Sequence, residues 1–363
     1  MVFSQMAPAE LAVARRYLYG GLFWGTLAQL WLLALLFFAW LYSRRRPAVR
    51  GFAVRFFAFL LLGLFPFDVF LGFFRERAYG FQHLGFPAWL GQWSLAALLD
   101  LVAALVVVTL ACAWLARRRG PAWWVRLWTV VSAGVVFAVA FQPVFIAPLF
   151  NHFTPVRNPE IRADLQQLAT RAGIPHASIL EVNASRQSAH TNAYVVGILG
   201  SQRIVVYDTL LASQTPAEIE FTVGHEIGHY VLHHLWKGVA FTVALLFAFF
   251  AILGWLFPKF SGGRSPADLT TLPLTLLILM VLLFLASPAT NGFSRWEEHR
   301  ADAFGLQLSG QAAAAISGFE REERTDLIYP DPPGWIVFWY FTHPSQQQRI
   351  NFARSYRGSL VAR

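Results

Sequence analysis

The chain has 363 residues, of which 56% are hydrophobic and only 13% are charged, with a mean hydropathy of +0.47. Soluble domains carry about 25% charged residues, so this composition excludes an ordinary soluble enzyme and points to an integral membrane protein. The formal charge of +9 does not signal nucleic acid, because Arg44, Arg45, Arg46, Arg50, Arg117, Arg118, Arg119 and Arg126 lie in two short loops between apolar runs, the positive-inside pattern of membrane topology. With Cys112 as the single cysteine, an intramolecular disulfide and a thiolate metal site are both excluded.

In chain order, apolar runs at 18–41, 52–74, 94–116 and 123–146 are each long enough to span a bilayer, which needs about 20 apolar residues. The first is too long for a signal-peptide core and lacks a cleavage site. Pro66 predicts a kink in the second. Arg55, Asp68 and Asp100 are ionisable groups at membrane depth, which must find partners or line a wet cavity. Residues 1–146 thus form an N-terminal membrane domain of four spans.

From Asn151 the composition turns polar. Asn158-Pro159-Glu160 starts a helix that Gly173 closes. Ser178–Val182 reads as a strand, and Ala193–Ile198 with Arg203–Tyr207 as a hairpin around Leu199-Gly200-Ser201-Gln202. Thr215, Pro216 and Glu218 then form a helix-start signature, and Ile219, Val223, Ile227, Tyr230 and Val231 recur at helical spacing. Within that helix, His225 and His229 are four apart with Glu226 beside the first. Side chains at i and i+4 project together, so two imidazoles can hold one zinc ion while the carboxylate takes a proton from water. His233 and His234 read as interface histidines where this helix approaches the next span. Residues 147–238 are therefore the first part of a catalytic domain, and 239–286 a membrane hairpin with spans at 239–257 and 269–286.

Residues 287–363 form the second catalytic part. Its helix-like stretch Ser294–Leu308 carries Glu298 and Asp302, four apart. One carboxylate can ligate zinc while the other, a turn on, accepts the N–H of a ligating histidine and fixes its tautomer. Glu297 is the alternative ligand, without such backing, because its i+4 partner is Ala301. Two His, one Glu and an open fourth position make a catalytic zinc site rather than a structural one.

H-E-I-G-H (225–229) followed by S-R-W-E-E-H-R-A-D (294–302) resembles the gluzincin membrane proteases of the CAAX prenyl endopeptidase type. So do I-A-P-L-F-N-H-F-T-P-V (146–156), H-T-N-A-Y-V-V-G (190–197), R-I-V-V-Y-D-T-L-L (203–211), R-E-R-A-Y-G-F-Q (75–82) and H-P-S-Q-Q-Q-R-I (343–350). The resemblance implies one Zn2+ per chain on His225, His229 and Glu298, with Glu226 as general base and acid. It implies that Asp302 orients His225, that His343 donates to the tetrahedral oxyanion and that Arg349 supports it. Asn192 and Ala193 would lie on an edge strand pairing with an extended substrate. The implied fold is a mainly α multi-pass membrane protein with an α+β protease domain and a small antiparallel sheet. The eukaryotic relatives have seven spans and a chamber within the membrane, whereas six are read here.

The implied activity is removal of the C-terminal tripeptide of prenylated proteins. General turnover of membrane proteins or hydrophobic peptides is the alternative, since the Ala-, Leu- and Arg-rich composition looks bacterial, implying a bacterial plasma membrane, where prenylated substrates are uncommon. More distant readings are a non-catalytic scaffold and a membrane di-iron oxidoreductase. His225, His229, His233 and His234 resemble one histidine box of the latter, but His83, His152, His176, His190, His299 and His343 form no second box. The expected partners are a peptide or protein bound as an extended strand and the lipid bilayer.

Overall fold

The computed structural model describes residues 6–46, 49–117, 120–197 and 202–357. Among the described residues, six helices are long and apolar enough to cross a membrane. They are α1 (Pro8–Ser43), α2 (Phe52–Ala78), α3 (Phe86–Arg117) and α4 (Trp123–Phe150), followed beyond an intervening domain by α8 (His234–Phe260) and α9 (Leu272–Ser309). Each extends past the apolar run read from the sequence. At 1.5 Å per residue a 36-residue helix such as α1 is about 54 Å long, against a hydrocarbon core of about 30 Å, so the helices project well beyond it. In α2, Pro66 cannot donate to the ladder, and the helix rewinds through a π turn at Phe70–Arg75.

Each of these helices packs along the next, α1 on α2, α2 on α3, α3 on α4, α4 on α8 and α8 on α9, and α9 returns to α1. The six therefore close a ring. Their apolar windows are only 6–22% buried, so most of each span's surface is left free of protein packing. One compact patch lies where α3, α4, α8 and α9 meet, around Leu115, Leu127, Phe250, Leu253, Phe257 and Leu274. Asp68 accepts a hydrogen bond from the Trp93 indole across α2 and α3 (3.2 Å), whereas Arg55 and Asp100 are exposed on their helices. Arg264 donates to the carbonyls of Ser43 (3.0 Å), Arg44 (2.6 Å) and Arg46 (3.2 Å), closing the end of α1. Arg118 and Arg119 lie outside the described residues.

Between α4 and α8 the chain builds β1 (Phe153–Pro155), α5 (Pro159–Arg171), β2 (Ser178–Val182), β3 (Ala193–Val196), β4 (Arg203–Tyr207), α6 (Asp208–Ser213) and α7 (Pro216–Val231). The sheet order is β1-β2-β4-β3. It is mixed rather than antiparallel. The predicted hairpin pairs Ala193 with Val206 in antiparallel register, but β4 runs parallel to β2, with Ser178 opposite Arg203. The long excursion between β2 and β4 lets the chain return in its original direction. β1, only three residues long and ending in Pro155, occupies the other edge, where a proline is tolerated; such a strand has no sequence period to detect. Ile198, Leu199, Gly200 and Ser201 of the predicted hairpin lie outside the described residues.

Leu165 and Leu168 of α5, Ile179, Ile204 and Val206 of the sheet, and Ile219, Val223 and Ile227 of α7 form one buried core. After α9 come α10 (Ala312–Thr325), α11 (Gly334–Tyr340) and α12 (Gln346–Ser355). Phe319 of α10 packs with Phe221 of α7 and with Ile350 and Ala353 of α12.

Candidate active site

Helix α7 starts as its sequence dictates. The Thr215 hydroxyl accepts from the Glu218 N–H (3.4 Å) and Glu218 Oε2 accepts from the Thr215 N–H (2.8 Å), a capping box. Glu218 also takes an ion pair from Arg321 (2.9 Å) and a hydrogen bond from Ser317 (2.6 Å), tying α7 to α10. With its start fixed and Ile219, Val223 and Ile227 buried, α7 turns His225 and His229 away from the sheet core.

Helix α9 meets them closely because the contact is lined by glycine. A Cβ on Gly305 would sit 2.9 Å from the backbone nitrogen of His225, and one on Gly228 would sit 3.1 Å from Phe304. Gly224 faces Gly305 directly. Backbone-to-backbone approach of this kind brings Glu298, two turns before Gly305, onto the histidines. α9 is a single helix through Pro288, so the membrane span and the carboxylate-bearing stretch, read separately in the sequence, are one rod.

The structure brings His225, His229 and Glu298 together. His225 Nε2 is 3.1 Å from His229 Nε2 and 3.3 Å from Glu298 Oε2, and His229 Nε2 is 3.4 Å from Glu298 Oε1. A tetrahedral ion with bonds of about 2.0–2.2 Å has ligand atoms about 3.3–3.6 Å apart, so this spacing fits one. The chemistry of the donor set fits as well. Two Nε2 atoms face each other, and buried Glu298 Oε2 has no hydrogen-bond donor; a cation satisfies all three. Among the described residues this is the one group of three metal-competent side chains. Glu297, the alternative ligand, is not part of it.

Behind the triad, His225 Nδ1 lies 2.9 Å from Asp302 Oδ1. Asp302 in turn is held by Arg349 through two hydrogen bonds, 2.9 and 2.6 Å. Desolvation raises the Glu226 carboxyl above its ordinary pKa, against the opposing pull of His225 and His229. His343 Nε2 reaches Glu298 Oε1 at 3.3 Å, and the Thr342 hydroxyl is 2.9 Å from its Nδ1. Asn192, Ala193, His225, Glu226, His343 and Arg349 all line one cleft of 470 Å³. Among the described residues β3 pairs only with β4, and Ala193 at its start and Asn192 just before it line that cleft.

Sequence reading missed two histidines. His234, read as an interface residue, is buried, with its Nδ1 3.0 Å from His229 Nδ1. The helix breaks at His233, which adopts φ 57°, and this left-handed step returns His234 to His229. The local signal was only the i+5 spacing, which an unbroken helix would send elsewhere. His190 stands between Glu76 and Asp326, residues too distant in sequence to suggest the contact.

A ring of apolar helices carrying a two-His, one-Glu centre in an open cleft defines a membrane-integral metallopeptidase. The chain belongs to peptidase family M48, whose profile matches residues 155–357, a metallopeptidase family, which implies a metal cofactor. Residues 9–152 match the CAAX prenyl protease N-terminal family, described with five membrane helices; four of the chain's spans lie in that region, as part of a multi-pass membrane protein. The uncharacterized metalloprotease YhfN of Bacillus subtilis is 36% identical over 249 residues, 66% of this chain and 58% of that protein. The chain thus spans less than two thirds of that relative's length. The CAAX prenyl protease 1 homolog of Dictyostelium discoideum is 31% identical over 301 residues, covering 79% of this chain and 68% of its own. In fold, the chain superposes on the crystal structure of S. mikatae Ste24p with a TM-score of 0.78 at 22% identity, covering 96% of this chain and 89% of that one.

Proposed function

We propose that the chain is a zinc-dependent endopeptidase of the membrane, with His225, His229 and Glu298 as the zinc ligands. The observation that carries this is the mutual 3.1–3.4 Å spacing of their ligand atoms beside Glu226. Zinc, when bound there, polarises the scissile carbonyl and lowers the pKa of water. Glu226, 3.9 Å from His225 Nε2, takes the proton from the attacking water and returns it to the leaving nitrogen. The His343 imidazole, facing Glu298 from the cleft, donates a hydrogen bond to the developing oxyanion. Asp302 holds His225 through Nδ1, leaving Nε2 for the metal, and Arg349 holds Asp302. The unpaired edge of β3 supports an extended substrate that adds to the sheet at Asn192 and Ala193.

The similarity to CAAX prenyl protease homologues supports prenylated proteins, cut near the C-terminus, as substrates. The relative from Bacillus subtilis supports a bacterial plasma membrane as the location. Hydrolysis of a peptide panel, prenylated and not, with metal analysis tests the whole reading. Glu226→Gln is expected to retain zinc and to lose at least about 10²-fold in rate. Undiminished cleavage by that variant would reject Glu226 as the base, and iron in place of zinc would reject the hydrolytic centre.

A further inference from the structure

His190 lies three residues before β3, outside the metal centre, and its ring stacks on Phe81 with centroids 3.9 Å apart. Its Nε2 is 3.1 Å from Glu76 Oε2 and its Nδ1 is 3.0 Å from Asp326 Oδ1. An imidazole donates from both nitrogens only when protonated. Burial would lower its pKa, but Asp326 and Glu76 outweigh burial and hold it up at about 9. The link is therefore complete at neutral pH.

Each carboxylate is itself anchored. Glu76, near the end of α2, accepts from the Tyr17 hydroxyl of α1 (3.1 Å) and from Arg75 (2.6 Å). Asp326, which caps α10, accepts from the backbone N–H and hydroxyl of Thr191 (3.1 and 2.8 Å) and from Thr325 (2.9 Å). The His190 carbonyl accepts from the Thr209 hydroxyl (2.8 Å). Backbone bonds from Ala189 to Phe81 and from His83 to Gln187, both 3.0 Å, run beside the link. Two membrane helices, the segment entering the edge strand and the end of α10 thus converge on one ring. Thr191 and Asp326 also line the cleft.

We propose that His190 is a positioning residue for substrate: by bridging Glu76 of α2 and Asp326 of α10 it fixes Thr191–Ala193 in register with the metal centre. This rests on the reading of β3 as the edge to which substrate adds. The charged and titratable groups around the bridge are Glu76, Asp326, Arg75 and Tyr17, with Glu322 beside Asp326 in the cleft wall. Because the pKa is raised above the ordinary His value of about 6.5, the bridge is whole below that raised value. It is lost as pH climbs through about 9, and KM rises there.

The test uses the full chain in detergent and compares wild type with His190→Ala, His190→Gln and His190→Lys. Three quantities are read: KM and kcat for peptide hydrolysis across pH 7–10.5, amide hydrogen exchange over residues 188–196, and zinc content. Losing hydrogen bonds to charged partners is expected to raise KM about tenfold or more in the Ala and Gln variants, with kcat held within about threefold. Exchange across the segment quickens and zinc content stays unchanged. Lysine, a cation up to about pH 10.4, restores KM in part and moves the alkaline rise to higher pH. Wild-type KM and exchange in both the Ala and Gln variants would overturn the proposal, as would a loss confined to kcat or accompanied by loss of zinc. A lysine variant no better than alanine would overturn it too. Should the wild type cleave no peptide, the proteolytic reading falls, and exchange alone judges the bridge: unchanged rates in His190→Ala reject it.

Discussion

The two histidines facing the metal position are backed unequally. His225 leans on a carboxylate, Asp302, that Arg349 holds in place. His229 leans on a neutral partner type, the buried ring of His234. With its Nε2 toward the metal, His229 must carry its proton on Nδ1 and donate it to His234 Nδ1. Removing such a backing group costs 10–100-fold in metal affinity. His234→Ala is therefore expected to weaken zinc binding by about that factor in a chelator competition, and His234→Asn, which keeps an acceptor, to lose less. Equal affinity in all three proteins would refute the orienting role. The paired histidines were legible because i and i+4 fix a face whatever surrounds the helix, and Glu298 was legible because Asp302 repeats that spacing. His234 was not, since its position depends on one left-handed residue, His233, that no periodicity announces. His343 was found only by resemblance; it sits in the loop after α11, and no helix or strand pattern points it at the metal.

At the level of elements, the site depends on how closely α7 and α9 approach. A Cβ on Gly305 would meet backbone at 2.9 Å, which cannot yield, whereas a Cβ on Gly224 would meet Gly305 at an ordinary 3.5 Å. Gly305→Ala is expected to cost roughly 1–3 kcal/mol in stability by overpacking and to weaken zinc binding by pushing Glu298 off the histidines. Gly224→Ala is expected to be milder in both thermal denaturation and metal titration, and the reverse order would rule out this packing. The element types were largely readable: capped α7, the β3–β4 hairpin and the apolar spans all follow local pattern. The parallel pairing of β2 with β4 was not, because strand direction in a sheet is decided by the path of the intervening chain. The unbroken course of α9 was hidden by Pro288, which locally reads as a stop.

For the whole molecule, six helices close a ring, and one of them, α9, carries Glu298 to the two histidines of α7. Composition made the membrane setting plain at once. Ring closure was beyond it, because which helix neighbours which is settled by contacts between α9 and α1, far apart in sequence. The continuity of α9 has a further consequence. Two of the three proposed ligands enter from α7, before the α8–α9 hairpin, and the third returns on α9 after it. A bound ion is then a removable staple that shuts a loop containing two membrane crossings. Its grip adds to the cohesion of the entire hairpin, by RT ln(1 + [L]/Kd), or about 4 kcal/mol at a thousandfold excess over Kd. Stripping the ion with a chelator is expected to lower the thermal midpoint by several degrees and to loosen α8 and α9 before α1–α3, as read by hydrogen exchange. Uniform loosening, or none, would mean that the hairpin is held without it.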